Sequence, residues 1–553
     1  MYHYMTDKKG KFVLLVVLLA VSGTGGVLFS LVLAGILDCA TAGNEGELLS
    51  ALLLGVSYAV GYCLLEICYR SWKAVMIADA RRCLKRDVFA GILGKSVAEF
   101  DGGNSGEYIN ELSNNINTFE EIYFKNIVRV LECAAAFCAA AAICIKLQPW
   151  MLVLMLFLAL VTLGVSKLTV KPLEKKSESL MACTEAYMAE IKDDFNGFRL
   201  IKSFCIGERI RGKSEQKNES MERAKTRYQI CQILCVYGGQ LVGLLSTVIV
   251  MAVAAWCALR GMFSAGMVIA FGQLIGQIVS PVTALPEIIA NFRASRPFQV
   301  RFRSRMQSEA KEGTECISGI GNGISLEKLS FGYSEGKEVL HELSYCFKAG
   351  GHYAVMGSSG SGKSTLLSLL AGDYSGYGGR ILVDGRELRN LSEGCRSTLI
   401  GTVSQNVFLF NDTLRDNITL YGEYSETEIL RAVEEAGLKE FAASLPEGLS
   451  TVVEENGKNF SGGERQRISL ARAILRKSRV LLLDEFTANL DEKTAEEIEN
   501  RLLSRKDCLM ITVTHRLRPE ILRQYDEILL IAGGTLAASG TYEEVGQQVP
   551  VTD

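Results

Sequence analysis

The run Gly357-Ser358-Ser359-Gly360-Ser361-Gly362-Lys363-Ser364, continued by Thr365, has the spacing G-x-x-x-x-G-K-[ST]. Glycines so placed let successive backbone N–H groups turn inward around phosphate oxygens. A helix starting at the lysine adds the positive end of its dipole. Lys363 is then positioned to reach β- and γ-phosphates, and the hydroxyl of Ser364 to bind Mg²⁺. A loop that merely turned would leave the lysine unexplained. Further along, Val480-Leu481-Leu482-Leu483 ends in Asp484 and Glu485. An apolar run ending in acids is common by itself, but after a phosphate loop it acquires a meaning. Asp484 is placed to hold Mg²⁺ through water, and Glu485 to polarise an attacking water as general base.

These residues need rigid elements behind them. Tyr353-Ala354-Val355-Met356 reads as a short buried strand before the loop, and Thr365–Leu370 as an apolar helix after it. Val480–Leu483 reads as a second buried strand that delivers the carboxylates at its end. This α/β pattern occupies only the polar part of the chain, which begins near residue 322.

The whole chain has 553 residues, with 59 basic and 62 acidic side chains and a net charge of −3. That balance argues against a dedicated nucleic-acid binder, which carries a basic excess. Mean hydropathy is +0.18 despite 22% charged residues, so the average joins two unlike halves. The apolar content excludes disorder. The sixteen cysteines sit largely in apolar runs rather than in a small disulfide scaffold. Cys231 and Cys235 share a helix face at i, i+4, but a zinc site needs about four ligands and the chain has 4 histidines. Packing or lipid contact is the expectation for them.

Six apolar runs near 12–37, 48–69, 127–147, 150–170, 230–259 and 266–291 are long enough to cross a bilayer, which takes about 20 residues. Lys8, Lys9 and Lys11 precede the first. Arg70, Lys73, Arg81, Arg82, Lys85, Arg86 and Lys95 follow the second, and 171–229 is dense in Lys and Arg. The connection 38–47 holds Asp38, Glu45 and Glu47 and no basic residue. Basic loops stay inside, so both termini are expected in the cytoplasm. The two long internal connections read as helices. Segment 74–99 continues the second span, and 174–229 has the charge pairing of solvated helices. Each is interrupted once, at Asp101–Gly106 and at Phe195-Asn196-Gly197. Glu66, Glu132, Gln240, Gln273, Gln277 and Glu287 are polar residues within spans. Each is either a helix–helix hydrogen bonder or a candidate for the substrate path.

Between the phosphate loop and Asp484 lies Phe460-Ser461-Gly462-Gly463-Glu464-Arg465-Gln466-Arg467. This resembles the signature of the ATP-binding cassette (ABC) transporter family, exporter-type half-transporters in particular. The other family elements follow in order. Tyr333 matches the aromatic that stacks on adenine, and Gln405, in Val403-Ser404-Gln405, the glutamine that senses Mg²⁺ and contacts the membrane domain. Asp491, in Asn489-Leu490-Asp491, matches the loop that crosses between subunits. His515 matches the switch histidine at the γ-phosphate. The resemblance implies a membrane α-helical domain of six transmembrane helices with long cytoplasmic extensions (1–300), a linker (301–323) and an α/β P-loop nucleotide-binding domain (324–553). It implies ATP and Mg²⁺ as cofactors, with Ser364, Gln405 and Asp484 at the metal and Glu485, His515 and Gln405 as catalytic groups. It also implies that Ser461, Gly462, Gly463 and Glu464 clasp the ATP held by a second chain.

One cassette and six spans then require a partner half-transporter, a homodimer being the simplest closure and a heterodimer the other option. The protein is expected as an ATP-driven exporter in the cell (inner) membrane, in contact with lipid, with a substrate the motifs do not name and no nucleic acid. An importer on the same fold is the alternative; a soluble repair or translation cassette would lack the six spans. Phe460 for the usual Leu, Glu464 for the commoner Gln, and Phe486 after the catalytic Glu are departures from the pattern. None removes a metal ligand, base or phosphate donor. Glu464 places a carboxylate near the nucleotide and leaves room for asymmetry with a different partner chain.

Overall fold

The computed structural model describes residues 1–43, 45–101, 105–306, 313–333, 338–516 and 518–545, leaving aside the side chains of 166–171 and 174. The chain divides into two compact units, Met1–Leu93 with Ser105–Gln307, and Gly94–Asn104 with Ser308–Asp553.

The first unit is helical. Its long helices are α1 (Lys9–Ala42), α2 (Glu45–Leu93), α3 (Ser105–Leu147), α4 (Pro149–Asn196), α5 (Gly207–Leu259) and α6 (Ala265–Met306). Among the described residues, α1, α2, α3, α5 and α6 are long and apolar enough to cross a membrane, and α4 contributes the shorter apolar stretch Pro149–Val165. In α2, α4 and α5 the apolar span and the charged extension form one continuous helix. A helix satisfies its backbone groups internally, so it can pass from lipid to water without a break. The joints carry ordinary stop signals. Gly43, at φ +73°, closes α1, and Pro149 opens α4 directly after Gln148. Two π-helical turns, Glu111–Asn115 and Glu120–Phe124, lie within α3.

The helix expected over 74–99 ends at Leu93. Gly94 follows, and a new turn, Val97–Asp101, begins where the hydroxyl of Ser96 accepts the N–H of Glu99 at 3.3 Å. The Asp101–Gly106 break includes 102–104, which lie outside the described residues. The second break falls as expected. α4 ends at Asn196, Gly197 leaves helical geometry, and a short helix Phe198–Ser203 follows. The polar stretch expected as linker begins as helix, since α6 continues to Met306 through Pro281, Pro286 and Pro297.

The three span glutamates are each paired with a basic side chain. Glu66 bonds Arg70 at 2.7 Å, Glu132 bonds Lys73 at 2.8 Å and the hydroxyl of Tyr69, and Glu287 takes Arg129 in a two-pronged bridge at 2.7 and 2.9 Å. Gln240 instead lines a cavity of about 590 Å³ with Thr162, Thr247 and Ser280.

The second unit is α/β. Strands β1 (Gly323–Phe331), β2 (Leu340–Lys348), β3 (His352–Met356), β4 (Gly378–Val383), β5 (Arg386–Glu387), β6 (Ile400–Val403), β7 (Val480–Asp484), β8 (Leu509–Val513), β9 (Glu527–Ala532) and β10 (Thr535–Gly540) form two sheets. A four-stranded antiparallel sheet has the order β2-β1-β4-β5. A six-stranded sheet has the order β10-β9-β3-β8-β7-β6. In the larger sheet β9, β3, β8, β7 and β6 run parallel. Strands covered on both faces read as continuous apolar runs, and β3 and β8 are buried at every position. The parallel arrangement sends the carboxyl ends of β3, β8, β7 and β6 to one edge, the usual place for a site in such sheets.

Candidate active site

The loop after β3 is shaped by glycine. Gly357, Gly360 and Gly362 have φ of +152°, +78° and +103°, values that L side chains rarely adopt. A Cβ on Gly357 would stand 2.1 Å from the carbonyl oxygen of Ile531, so space as well as torsion excludes other residues there. Helix α7 (Lys363–Ala371) begins at the loop's end. The Lys363 ammonium lies within the loop and donates to the carbonyls of Gly357 and Ser358, at 2.9 Å each. Burial pulls its pKa below the ordinary lysine value, with Glu485 and Asp484 opposing. The hydroxyl of Ser361 is buried without a hydrogen-bond partner among the described residues.

Strand β7 delivers Asp484, and the chain then turns sharply. Glu485 sits at φ +47°, a left-handed conformation rare outside glycine. Its N–H is tied to the carbonyl of Val513 on β8 at 3.1 Å. The strained residue is the one whose carboxylate the other groups meet. The Gln405 side chain, two residues beyond β6, donates to Glu485 Oε2 at 2.7 Å. His515 Nε2, two residues beyond β8, lies 3.1 Å from Glu485 Oε1. Ser364 lies close enough to favour the ionised Asp484, whose Oδ1 is buried without a partner among the described residues. Burial, more than the neighbouring Glu485, raises the Asp484 carboxyl above its usual range. A buried carboxylate oxygen left open beside a serine hydroxyl is the donor set of a hard, oxygen-loving divalent cation, so these residues fit Mg²⁺.

Tyr333 stands over the start of α7, its hydroxyl 3.1 Å from Thr365 Oγ1. Its ring meets Phe331 and Tyr374 edge-on and stays 57% exposed, leaving an aromatic face for a base. Gln405 and His515 thus meet Glu485 beside Asp484 and the phosphate loop, and Tyr333 stands at the start of α7.

The signature residues lie apart from this cluster. They make no hydrogen bond or ion pair with the phosphate loop among the described residues. Ser461 is the N-cap of α8 (Gly462–Leu475), accepting the N–H of Glu464 at 3.3 Å, while Glu464 Oε2 accepts the N–H of Ser461 at 2.7 Å. The departure to glutamate is thus accommodated as a capping box, which Glu and Gln both complete. A Cβ on Gly463 would stand 2.8 Å from the carbonyl of Asn489. Asp491 caps α9 (Glu492–Leu503) by accepting the N–H of Thr494 at 2.9 Å.

Two positioning residues had no role assigned from the motifs. Gln466, buried in α8, donates to the carbonyl of Glu485 at 3.4 Å and accepts the N–H of Asn489 at 3.1 Å. Arg516 donates to the carbonyls of Thr487 and Leu490 at 2.8 and 3.0 Å. Together they hold the loop from Glu485 to Asp491. Their signal was adjacency, Gln466 inside the signature and Arg516 beside His515.

The chain resembles known proteins along both of its units. Residues 12–282 match the ABC transporter transmembrane region, and residues 340–488 match the ABC transporter family. The chain belongs to the ABC transporters, as an exporter-type half-transporter whose membrane domain is fused to one ATP-binding, ATP-hydrolysing cassette. It is 25% identical to the Bacillus subtilis ABC transporter ATP-binding protein YfiC over 99% of this chain and 91% of that protein. It is 26% identical to an ATP-dependent lipid A-core flippase of Photobacterium profundum, over 99% of this chain and 94% of that one. Its fold is that of a bacterial Atm1-family ABC exporter solved with ATP bound, at a TM-score of 0.83 and 22% identity, covering 98% of this chain and 96% of the other. It is accordingly an integral membrane protein, built as one half of a dimeric transporter.

Proposed function

We propose that the chain moves its substrate outward across the cell membrane as a two-fold homodimer, with both termini and the cassette in the cytoplasm. The observation that carries this is the meeting of Gln405 and His515 on the two oxygens of Glu485, beside the phosphate loop, in a chain that also carries membrane-spanning helices. Relatives described as lipid A-core flippases support the outward direction over import.

In this reading Tyr333 stacks on adenine. The backbone of Gly357–Ser364, with Lys363 and Thr365, holds the phosphates. Ser364, Gln405 and Asp484 would hold Mg²⁺, which when bound supplies charge neutralisation at the β- and γ-phosphates. Glu485 takes the proton of the attacking water. His515 orients that carboxylate and reaches toward the γ-phosphate. Ser461, Gly462, Gly463 and Glu464 present the start of α8 to the nucleotide of the other chain, and Asp491 lies on the crossing loop. Because closure needs both chains, nucleotide favours the closed dimer and hydrolysis releases it.

The domain limits are taken as 1–300, 301–323 and 324–553, the last supported by the start of β1 at Gly323, while α6 carries the first domain on to Met306. The test is ATP-dependent uptake into inside-out vesicles, screened against lipids, drugs, peptides and metal chelates. Uptake that Glu485→Gln abolishes supports export; loss of preloaded substrate from those vesicles on ATP addition would reverse the direction.

A further inference from the structure

Segment 313–317 lies along 390–395. Glu315 pairs with Leu391 in a parallel bridge. The N–H of Glu315 donates to the carbonyl of Asn390 at 3.0 Å, and the N–H of Ser392 donates to that of Glu315 at 2.9 Å. The approach is tight, since a Cβ on Gly313 would stand 2.2 Å from the carbonyl oxygen of Asn390. Two residues on, sulfur continues the pairing. The N–H of Ile317 donates to Cys395 Sγ at 3.2 Å, and the Cys395 thiol donates back to the Ile317 carbonyl at 3.4 Å. The Cys316 thiol turns to the same carbonyl, donating to Ile317 O at 3.9 Å, so both sulfurs gather at one backbone oxygen.

The two thiols differ in access. Cys316 is exposed, whereas Cys395 is buried at the first turn of the helix Glu393–Leu399. They come from the two ends of a long loop that contains Tyr333 and the whole phosphate loop. Neither belongs to the nucleotide site.

We propose that Cys316 and Cys395 are a redox modification site, which a low-molecular-weight disulfide such as oxidised glutathione converts into an intramolecular disulfide. The exposed Cys316 thiolate attacks one sulfur of the reagent, forming a mixed disulfide and expelling one thiolate. The Cys395 thiolate then attacks Cys316 Sγ, closing the bridge and expelling the second. The protein loses two electrons and two protons; the reagent's S–S bond takes them up as two thiols. The bridge bolts segment 313–317 to the cassette and closes a loop around its nucleotide-binding elements. Contact with Cys395 holds the Cys316 thiol above its usual pKa, so the first exchange is slow at neutral pH.

The experiment treats the purified full-length protein with oxidised glutathione, alkylates remaining thiols under denaturing conditions, and maps the peptides by mass spectrometry. The expected wild-type product is a Cys316–Cys395 bridge, with the unfolding midpoint of the cassette raised by about 5 °C or more over the reduced protein, because the bridge restricts the unfolded chain. Cys316→Ser yields no bridge and leaves Cys395 unmodified, with ATPase equal to wild type. Cys395→Ser stops at a glutathione adduct on Cys316. Cys316→Ser alters only an exposed side chain, so the test stands even if the buried substitution impairs folding. Wild-type protein that remains reduced, that stops at the Cys316 adduct, or that bridges either cysteine to another partner overturns the proposal.

Discussion

Glu485 is held by three ties: its N–H to β8, one carboxylate oxygen to Gln405 and the other to His515. A side chain so fixed on a strained backbone is set for one geometry. Lys363, by contrast, is placed to act on phosphate charge in the proposed site. The two substitutions therefore separate. Glu485→Gln keeps nucleotide affinity and lowers ATPase by about 10²-fold or more, the range for loss of a general base. Lys363→Ala weakens nucleotide binding by roughly 10- to 100-fold, the range for a lost charged hydrogen bond. Equilibrium binding and steady-state ATPase on the same preparations check both. ATPase near wild type in Glu485→Gln would remove Glu485 from the role of base.

A second residue-scale consequence follows from His352, at the start of β3 and fully buried. Burial first, and then Lys506, lower its pKa, while Asp526 opposes them. The folded cassette thus keeps this histidine neutral, while the unfolded chain protonates near its ordinary value of about 6.5. Below that pH the unfolded state binds the extra proton. The stability is intact above about pH 6.5 and is lost as pH falls toward the folded pKa. His352→Gln should flatten the fall in the cassette's unfolding midpoint between about pH 7 and 5.5, followed by thermal unfolding at a series of pH values.

At the scale of elements, the turn between α4 and α5 calls for a partner. Phe195 is 73% exposed and Phe198 56%, with Leu200 and Phe204 also open. Phe195 therefore does not pack between its own helices, and an apolar ring at a cytoplasmic turn needs burial elsewhere. The other break has its partner visible within its own unit. Burial, and with it the nearby charge of Asp101, raises both the Asp373 carboxyl and the Tyr374 hydroxyl. The open rings of the second turn call for an apolar partner of their own. Phe195→Asp is expected to fold and bind ATP like wild type while transport falls severalfold relative to ATPase. Vesicle uptake and ATPase measured together check the ratio, and normal coupling in a well-folded variant would dismiss the docking.

At the scale of the whole molecule, the signature is capped and ordered yet makes no bond to the phosphate loop of its own chain among the described residues. This agrees with the proposal that a second chain completes the site. In a dimer of one Lys363→Ala chain and one Ser461→Arg chain, both lesions fall in one composite site and the other is intact. Such mixtures should recover up to about half of wild-type ATPase per dimer, with each homodimeric variant near zero. No recovery, together with no crosslink between Ser461 and a partner's phosphate loop, would mean that the site is not shared.

The local chemistry was legible in the residues because phosphate binding depends on short-range spacing. Gly357 to Ser364 form one turn between a strand and a helix, and no other part of the chain is needed to build it. The spans were legible for a similar reason, since lipid demands an uninterrupted apolar run. The convergence of Gln405 and His515 on Glu485 was not, because it depends on the order of strands. Only when β6, β7 and β8 lie side by side and parallel do three residues distant in the chain meet at one edge. The roles of Gln466 and Arg516 were hidden in the same way. Each donates to backbone carbonyls, and such partners leave no mark on residue type. Glu464 read as an anomaly until its carboxylate was seen to cap Ser461. The pairing of Cys316 with Cys395 likewise belongs to tertiary structure alone. Periodicity and motif spacing report what a residue does to its near neighbours, whereas long-range contacts are chosen by how the finished elements pack.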